Sequence, residues 1–332
     1  MCPGTGNVPG SSATSGATLF VEVVAMEAEV YDVVVVGGGA AGLSAALVLG
    51  RARRRVVVVD GGAPRNAPAA HMQGFLSRDG MPPSDLLAVG RAELARYGVE
   101  VIVDHVVRVD AGFYVRLRSG TVLRARRLVV GTGVRDELPD LPGVRERWGR
   151  DLLHCPYCHG WEVRDQPLGV LGTHPGAVQH ALLVRQWSSD VTFFAHTLDL
   201  APPERAQLDA LGVRIVTGRV ESLVVDDDRL TGVRLEDGRT VPRTAVFVRP
   251  VNVPHPDGLL ARLRCELDDD GFPVTDRTGR TTAFGVWAVG NAADPRAQVI
   301  TSAGQGSAAA IALNADLVAE DVERAVEARV GG

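Results

Sequence analysis

The chain has 332 residues, a formal net charge of −5 and 45% hydrophobic residues, a composition typical of globular proteins. This length allows two domains with separate cores. The negative charge gives no electrostatic reason to expect nucleic-acid binding, and no apolar run reaches the roughly 18 residues of a membrane span. Four cysteines, two of them in one motif, do not form the disulfide framework of a secreted protein. We therefore expect a cytoplasmic protein that binds neither membrane nor nucleic acid.

The first 26 residues are rich in Gly, Ser, Thr and Ala. They predict either a disordered tail or a start at Met26, which stands shortly before the first predicted strand. A signal peptide is not indicated, because no basic residue precedes the short apolar stretch 19–25.

A nucleotide-binding motif follows the first predicted strand, residues 31–36. Residues 37–42 match the pattern G-x-G-x-x-G and lead into an apolar helical pattern. The three glycines allow a tight turn, the approach of a pyrophosphate to the backbone, and close packing of helix on strand. The next strand, 56–59, runs into an acid about 20 residues after the second glycine, where a ribose would bind. The predicted dinucleotide contacts are Gly37, Gly39, Ala40, Ala41, Gly42 and Asp60.

Residues 61–80 contain several Gly and Pro residues and predict no regular element. This segment either lines the dinucleotide or forms a surface loop, and both interpretations stay open. A helix over 82–97 and several strands follow, the last of which runs into Gly-Thr-Gly at 131–133. Flavoproteins with two dinucleotide folds commonly make a second contact with FAD at such a strand end. The candidate FAD contacts in this part are Arg65, Asn66, His71, Gln73, Thr132 and Gly133.

Residues 154–160 read His-Cys-Pro-Tyr-Cys-His-Gly and follow a proline-containing linker at 138–143. Two cysteines at this spacing can close a small disulfide ring that exchanges two electrons, and the first thiol is often acidified. The C-x-x-C-H pattern also fits haem attachment, which needs export, whereas a structural zinc site needs a second ligand pair. Two inert buried cysteines would not explain the flanking histidines. We therefore predict redox chemistry at Cys155 and Cys158.

A second nucleotide motif follows at once, but it is damaged. After a strand over 167–171, residues 172–177 echo the first motif ahead of a helix predicted to reach Trp187. His174 stands at the second glycine position, and Pro175 removes an amide donor. No arginine that could hold the 2′-phosphate of NADPH follows the next predicted strand. The sequence therefore argues against bound NADPH.

The chain is predicted to return to the first domain near residues 247–252. A last strand over 285–289 leads into Gly-Asn, and residues 297–314 predict a loop and an Ala-rich helix. In flavoproteins of this architecture such a helix directs its N-terminus at the N1–C2=O edge of the flavin, where negative charge develops on reduction. The candidate cofactor contacts in this segment are Gly290, Asn291, Gln298 and Val299.

These patterns together predict an α/β fold with two Rossmann-like units. The FAD domain is expected to be discontinuous, at 27–143 and 249–332. A smaller NADPH-like domain with the two cysteines is expected to interrupt it at 144–248, and residues 1–26 are assigned to the tail.

Over residues 30–318 the order of motifs resembles that of the low-molecular-weight thioredoxin reductases. Within that family the chain is more similar to the thioredoxin-reductase-like dithiol oxidases that close the disulfides of gliotoxin and holomycin. This finer resemblance depends on Cys-Pro-Tyr-Cys-His-Gly and on the damaged second motif. The chain departs from the reductases at His159, where they carry an acid, and at Asn291, where they carry Asp. Where the reductases carry Arg-Gln after that segment, this chain has Ala297-Gln298. These three differences weaken the case for reductase activity more than the case for FAD binding.

The resemblance implies FAD, a homodimer, and a small-molecule dithiol as the substrate. It also implies that Cys155 exchanges disulfides with the substrate, that Cys158 lies against the flavin, and that dioxygen is reduced to hydrogen peroxide. Either His159, which we prefer, or His154 is expected to act as the base, since imidazole titrates near neutral pH. Alternatively, both histidines only acidify the cysteines or pack against the loop. The competing functions are an NADPH-dependent disulfide reductase and a flavin redox sensor without turnover.

Overall fold

The computed structural model describes residues 29–331, and both the predicted tail and Met26 lie outside this range. The strands are β1 (Glu29–Val36), β2 (Val56–Asp60), β3 (Glu100–Val103), β4 (Val106–Asp110), β5 (Tyr114–Leu117), β6 (Val122–Val130), β7 (Val134–Glu137), β8 (Leu152–Leu153), β9 (Leu168–Leu171), β10 (Val191–Phe194), β11 (Arg214–Val216), β12 (Val220–Asp226), β13 (Arg229–Leu235), β14 (Thr240–Pro242), β15 (Ala245–Val248), β16 (Val251–Pro254) and β17 (Val286–Ala288). The helices are α1 (Ala40–Arg51), α2 (Pro83–Ala95), α3 (Val144–Arg147), α4 (Pro156–His159), α5 (Ala177–Val184), α6 (Pro202–Ala210), α7 (Leu259–Arg262) and α8 (Val299–Val330), with a 3-10 turn at Gly290–Ala292.

A seven-stranded sheet holds the first nucleotide motif. Its order is β3-β2-β1-β6-β5-β4, and β17 also pairs with β6. The strands β1, β2, β3, β6 and β17 run parallel, whereas β4 and β5 extend the sheet in antiparallel pairs. The Val-rich segments 33–36 and 56–59 are fully buried, as expected of parallel strands that are covered on both faces.

Helix α1 follows β1 and packs against the long helix α8. The two backbones approach closely, because a Cβ atom at Gly306 of α8 would collide with the carbonyl oxygen of Ala41. This contact brings the start of α8 to the turn between β1 and α1. The N-termini of both helices therefore lie on the same side of the first sheet.

A second, five-stranded parallel sheet follows the order β11-β10-β9-β15-β8. Helix α5 packs on β9 and β10 and contacts α6. Their apolar side chains form a separate core around Phe193 and Phe247, both of which are fully buried. The predicted fold class, with two Rossmann-like units, is therefore confirmed.

Two small antiparallel sheets complete the fold. Strands β12, β13 and β14 form one of them, and β7 pairs with β16 in the other. The β7–β16 pair lies where the chain leaves the first sheet and later returns to it. The domain limits themselves stay a prediction.

Two predicted helix limits were wrong. The helix expected to reach Trp187 ends at Val184, and the helix expected to end near residue 314 continues to Val330. Arg127, which is only 5% exposed, forms ion pairs with Asp316 and Glu320 of this extension, at 2.7 Å each. These pairs hold the extension against β6. None of the helices within residues 29–331 combines the length and the apolar character needed to cross a bilayer.

Candidate active site

The two cysteines lie on a one-turn helix at the carboxyl end of β8. Cys155 and Cys158 form a disulfide, and their Cα atoms are 5.2 Å apart. The Cys155 carbonyl oxygen accepts hydrogen bonds from the amides of Cys158 and His159, both at 3.1 Å. Pro156 fits the first helical position, since its fixed φ suits a helix start and no amide is needed there. The local sequence therefore folds into a turn that brings the two sulfurs together.

Gly160 lets this turn pack closely on the segment after α5. The Gly160 amide donates to the Pro156 carbonyl oxygen at 2.7 Å. A Cβ atom at this position would lie 2.5 Å from the carbonyl oxygen of Pro156 and 2.8 Å from the indole ring of Trp187. The same indole meets the ring of Tyr157 edge-on, with 5.6 Å between the ring centroids. The glycine is therefore required by packing at the redox turn.

His154 is held in one tautomer. Its Nδ1 atom lies 3.3 Å from the carbonyl oxygen of Val248. A carbonyl oxygen only accepts, so Nδ1 carries the proton and Nε2 keeps its lone pair. Burial lowers the pKa of His154, although the bond to Val248 opposes this effect. His154 is thus a neutral imidazole with one nitrogen able to accept a proton.

His180 was not singled out by the sequence, but the structure places it at the redox turn. Its Nε2 atom donates to the carbonyl oxygen of His154 at 2.8 Å, and the two imidazole centroids lie 5.9 Å apart. Only 8% of His180 is exposed, and its Nδ1 atom is buried without a partner among the described residues. Burial, reinforced by the neighbouring His154, lowers the pKa of His180 to about 4. His180 is therefore a neutral donor that positions the residue before Cys155.

His159 ends the one-turn helix. Burial lowers its pKa, and Glu162 is the charged group that opposes this effect. Glu162 in turn accepts a hydrogen bond at 3.2 Å from Gln73 of the 61–80 segment. The two candidate bases therefore flank the disulfide in the chain, His154 just before Cys155 and His159 just after Cys158.

The first nucleotide motif has the geometry that an FAD pyrophosphate requires. Gly37 has a φ of +104°, and a Cβ atom there would collide with the carbonyl oxygen of Gly131. A Cβ atom at Gly42 would collide with the carbonyl oxygen of Gly37. By contrast, no atom beyond its own chain neighbours lies within 4 Å of the Cβ position of Gly39, so that side of the turn is open to a ligand. The turn at the start of α1, which includes Ala40 and Ala41, thus fits FAD.

Asp60 ends β2 beside this turn. One carboxylate oxygen accepts the amides of Gly38 and Gly62, each at 3.2 Å. The other oxygen accepts a bond from Arg91 at 2.6 Å. A carboxylate can accept more bonds than these, so Asp60 is held in place and can still receive ribose hydroxyls.

The residues expected to line the flavin between 61 and 80 have protein partners. Arg65 binds both carboxylate oxygens of Asp136, at 2.8 and 2.6 Å, and the carbonyl oxygen of Pro295 at 2.9 Å. The ring of His71 lies 3.0 Å from the carbonyl oxygen of Gly80. Asn66 sits in a turn and accepts the amide of Ala69 through its backbone oxygen. The segment lacks regular structure, as predicted, and its role toward FAD stays a prediction, as do those of Thr132 and Gly133 after β6.

The C-terminal cofactor segment is fixed by its own side chains. Gly290 has a φ of +63°, and its amide donates to Gln305 of α8 at 3.0 Å. The Asn291 side-chain amide donates to the carbonyl oxygens of Asp294 and Ala297, at 3.0 and 2.9 Å. Gln298 precedes the first residue of α8, Val299. The oxygen of the Asn291 side chain is therefore oriented and remains available to a ribityl hydroxyl.

In the second nucleotide loop, residues 172–177, a side chain occupies one of the loop's own backbone amides, and we call it the closed loop. The amide of Gly176 donates to Nδ1 of His174 at 2.9 Å, and Pro175 has no amide hydrogen. Burial, together with Arg249, lowers the pKa of His174, which favours the neutral acceptor form. After β10, Nδ1 of His196 accepts the amide of Val220 at 2.9 Å. At the second motif, Pro175 therefore has no amide hydrogen to offer a pyrophosphate, and the amide of Gly176 is already bonded.

Comparisons with known proteins agree with this geometry. Residues 31–307 match the family described as pyridine nucleotide-disulphide oxidoreductase. The chain belongs to this family. It is 62% identical to the crystal structure of HlmI, with a TM-score of 0.88, covering 90% of this chain and 96% of the other. It is 32% identical to thioredoxin reductase aclD of Aspergillus oryzae, covering 89% and 99% of the two chains, and 31% identical to thioredoxin reductase sirT of Leptosphaeria maculans, covering 88% and 96%.

These findings confirm the predicted resemblance and the assignment as a thiol-disulfide oxidoreductase. Members of this family are FAD proteins, so FAD is the implied cofactor. When bound, it would be held by the first motif, by Asp60 and by the segment 290–299, as the open side at Gly39 allows. His180 and Arg249 could not be recognised from the sequence, because neither belongs to a motif and both reach the site through strand register and helix packing.

Proposed function

We propose that this protein is an FAD-dependent dithiol oxidase, which closes a disulfide in a small-molecule dithiol and reduces dioxygen to hydrogen peroxide. The observation that carries the proposal is the closed second loop, in which His174 takes the amide of Gly176 beside a formed Cys155–Cys158 disulfide. A disulfide that is ready to oxidise a thiol is thus combined with a poor site for the nucleotide that would reduce it.

The thiol exchange follows from the chemistry of the pair. A substrate thiolate attacks Cys155 and releases the Cys158 thiolate. The second substrate thiolate then attacks the substrate sulfur of the mixed disulfide, which breaks the bond to Cys155 and releases the Cys155 thiolate. The products are a substrate disulfide and a reduced Cys155–Cys158 pair, with two electrons moved to the protein. When bound, FAD supplies the two-electron acceptor that restores the disulfide and that dioxygen can reoxidise.

The imidazoles supply proton acceptors for this exchange. The thiolate, not the thiol, is the attacking form, so the substrate must lose a proton near Cys155. Nε2 of His154 has a lone pair because Nδ1 is held by Val248. His159, beside Cys158, is the second acceptor and is supported by the charge of Glu162. We expect at least one of the two to accept the substrate proton.

The test is oxygen uptake and peroxide release by the FAD-loaded protein with a panel of small dithiols. We expect one peroxide for each disulfide formed, and loss of this activity in Cys155→Ser and in Cys158→Ser. NADPH oxidation without dithiol turnover would contradict the proposal. A gel-filtration measurement in the same buffer tests the further proposal that the working form is a homodimer with no macromolecular partner.

The family description favours a second candidate, an NADPH-dependent disulfide reductase. The relatives named as thioredoxin reductases point the same way. This candidate predicts that NADPH bleaches the flavin absorbance within the turnover time and that a disulfide acceptor sustains NADPH consumption. A redox sensor without turnover would instead show neither oxygen uptake nor NADPH consumption.

A further inference from the structure

We propose that Arg249 and Thr173 form a subsite for a carboxylate of the dithiol substrate, next to the Cys155–Cys158 disulfide. This inference rests on the proposed function, because it names the class of substrate that the same site takes. That class is a small dithiol that also carries a carboxylate.

The strand register places Arg249 between the redox turn and the closed loop. Arg249 directly follows β15, which lies between β8 and β9 in the second sheet. The parallel register of β15 with β8, continued by two residues, sets Cys155 beside Arg249, and the register with β9 sets Gly172 on its other side. Neighbouring strands lie about 4.8 Å apart, so both segments are within reach of one small molecule. In open parallel sheets, ligands bind outside the carboxyl ends of the strands, as they would here.

The Arg249 guanidinium has no counter-charge within residues 29–331. It is half-buried, and no hydrogen bond or ion pair joins it to another described residue. Its Nη1 atom lies against Gly176, the residue before α5, where a Cβ atom would collide with it. Asp136 is the acid whose charge acts on the pKa of nearby His154. Both of its carboxylate oxygens are bound by Arg65, so it does not pair with Arg249. A partly buried cation without a counter-charge is costly, which points to an anion supplied from outside the chain.

A second observation points to the same place. The hydroxyl oxygen of Thr173, in the closed loop, is buried and has no hydrogen-bond partner among the described residues. A hydroxyl can donate to an oxyanion, as can the guanidinium, whose planar fork matches a carboxylate with two parallel bonds. A pyrophosphate is disfavoured, because His174 occupies the Gly176 amide and Pro175 has none. The chemistry of the donors therefore favours a single carboxylate.

Lipoate and lipoamide provide a matched pair of probes, because they share one cyclic disulfide and differ in a carboxylate or an amide. Their binding to the oxidised, FAD-loaded protein is measured by calorimetry at low salt and does not require turnover. We expect lipoate to bind roughly tenfold more tightly than lipoamide, as for a charge-assisted bond to a carboxylate. Arg249→Gln should weaken lipoate to the level of lipoamide. The control, Arg214→Gln, changes an exposed arginine at the start of β11 and should leave the preference intact.

Several outcomes would overturn the subsite. They are equal affinity of the wild type for the two probes, binding of neither, or a preference for lipoate that survives in Arg249→Gln. Binding of adenosine 2′,5′-bisphosphate that depends on Arg249, with no preference for lipoate, would assign the residue to a nucleotide phosphate instead. Because binding is measured on the oxidised protein, failure of the oxygen-uptake assay is recorded separately and bears on the proposed function alone.

Discussion

Replacement of His180 by Gln should make the protein less sensitive to acid. The folded protein keeps His180 neutral, since burial lowers its pKa from an ordinary value of 6.5 to about 4. An unfolded chain takes up a proton near pH 6.5, whereas the folded chain does so only near pH 4. Lowering the pH through this window therefore stabilises the unfolded state, and the folded protein loses stability. Above pH 6.5 the imidazole is neutral in both states and adds no pH dependence.

The size of the effect follows from the two pKa values. At about 1.4 kcal/mol for each pH unit between them, His180 removes about 3 kcal/mol from the free energy of unfolding between pH 7 and pH 4. Gln cannot titrate, and its amide can still donate to the His154 carbonyl oxygen. The variant should therefore be less stable than the wild type at pH 7, by about 1 kcal/mol for imperfect packing, yet show a flatter pH profile.

The assay is urea unfolding at pH 7, 6, 5 and 4.5, followed by tryptophan fluorescence at a fixed FAD concentration. The quantity of interest is the difference in pH dependence between wild type and variant, because other buried histidines titrate in both proteins. His196→Gln is a second test of the same reasoning away from the redox turn, because burial also lowers the pKa of His196 and its removal should flatten the pH profile in the same direction. Parallel profiles for wild type and His180→Gln would refute the reasoning.

Three further predictions concern an ion-pair cluster, the packing at the redox turn and the binding of FAD. Arg127→Met should lower the free energy of unfolding at pH 7 by about 3 kcal/mol, because it leaves Asp316 and Glu320 of α8 without their buried partner. A loss below about 1 kcal/mol in urea unfolding would contradict this. Gly160→Ala should cost about 1–3 kcal/mol through contact with Trp187, and Gly160→Ala with Trp187→Leu should recover part of that loss in the same measurement. Asp60→Ala should weaken FAD at least about tenfold in a fluorescence titration of the apoprotein, whereas unchanged affinity would remove Asp60 from the cofactor site.

The first nucleotide motif was predictable because its signal is local. One strand, three glycines and a helix occupy consecutive residues, so the spacing alone determines the turn that Gly37 and Gly42 make. The damage at the second motif was equally local, since a proline without an amide and a side chain at a glycine position can be recognised from the sequence. The structure added that His174 itself takes the freed amide.

The surroundings of the disulfide were not predictable. Arg249 acts on His154 because two strands that are far apart in the sequence pair side by side, and no local pattern encodes their register. His180 reaches the same turn from helix α5, in which no site residue was predicted. The length of α8 was missed for a related reason, since its extension is held by charges on β6 rather than by an apolar periodicity. Long-range charge pairing leaves little trace in a single sequence.

The closed loop between β9 and α5 also determines how this site could be redesigned. Restoring a glycine at position 174 would free the amide of Gly176, but the preceding residue, Pro175, would still contribute no hydrogen to a phosphate. No single amino-acid substitution therefore gives this loop all the amide donors of the first motif. An engineer who wants to give this loop the amide donors of the first motif must therefore alter both positions together.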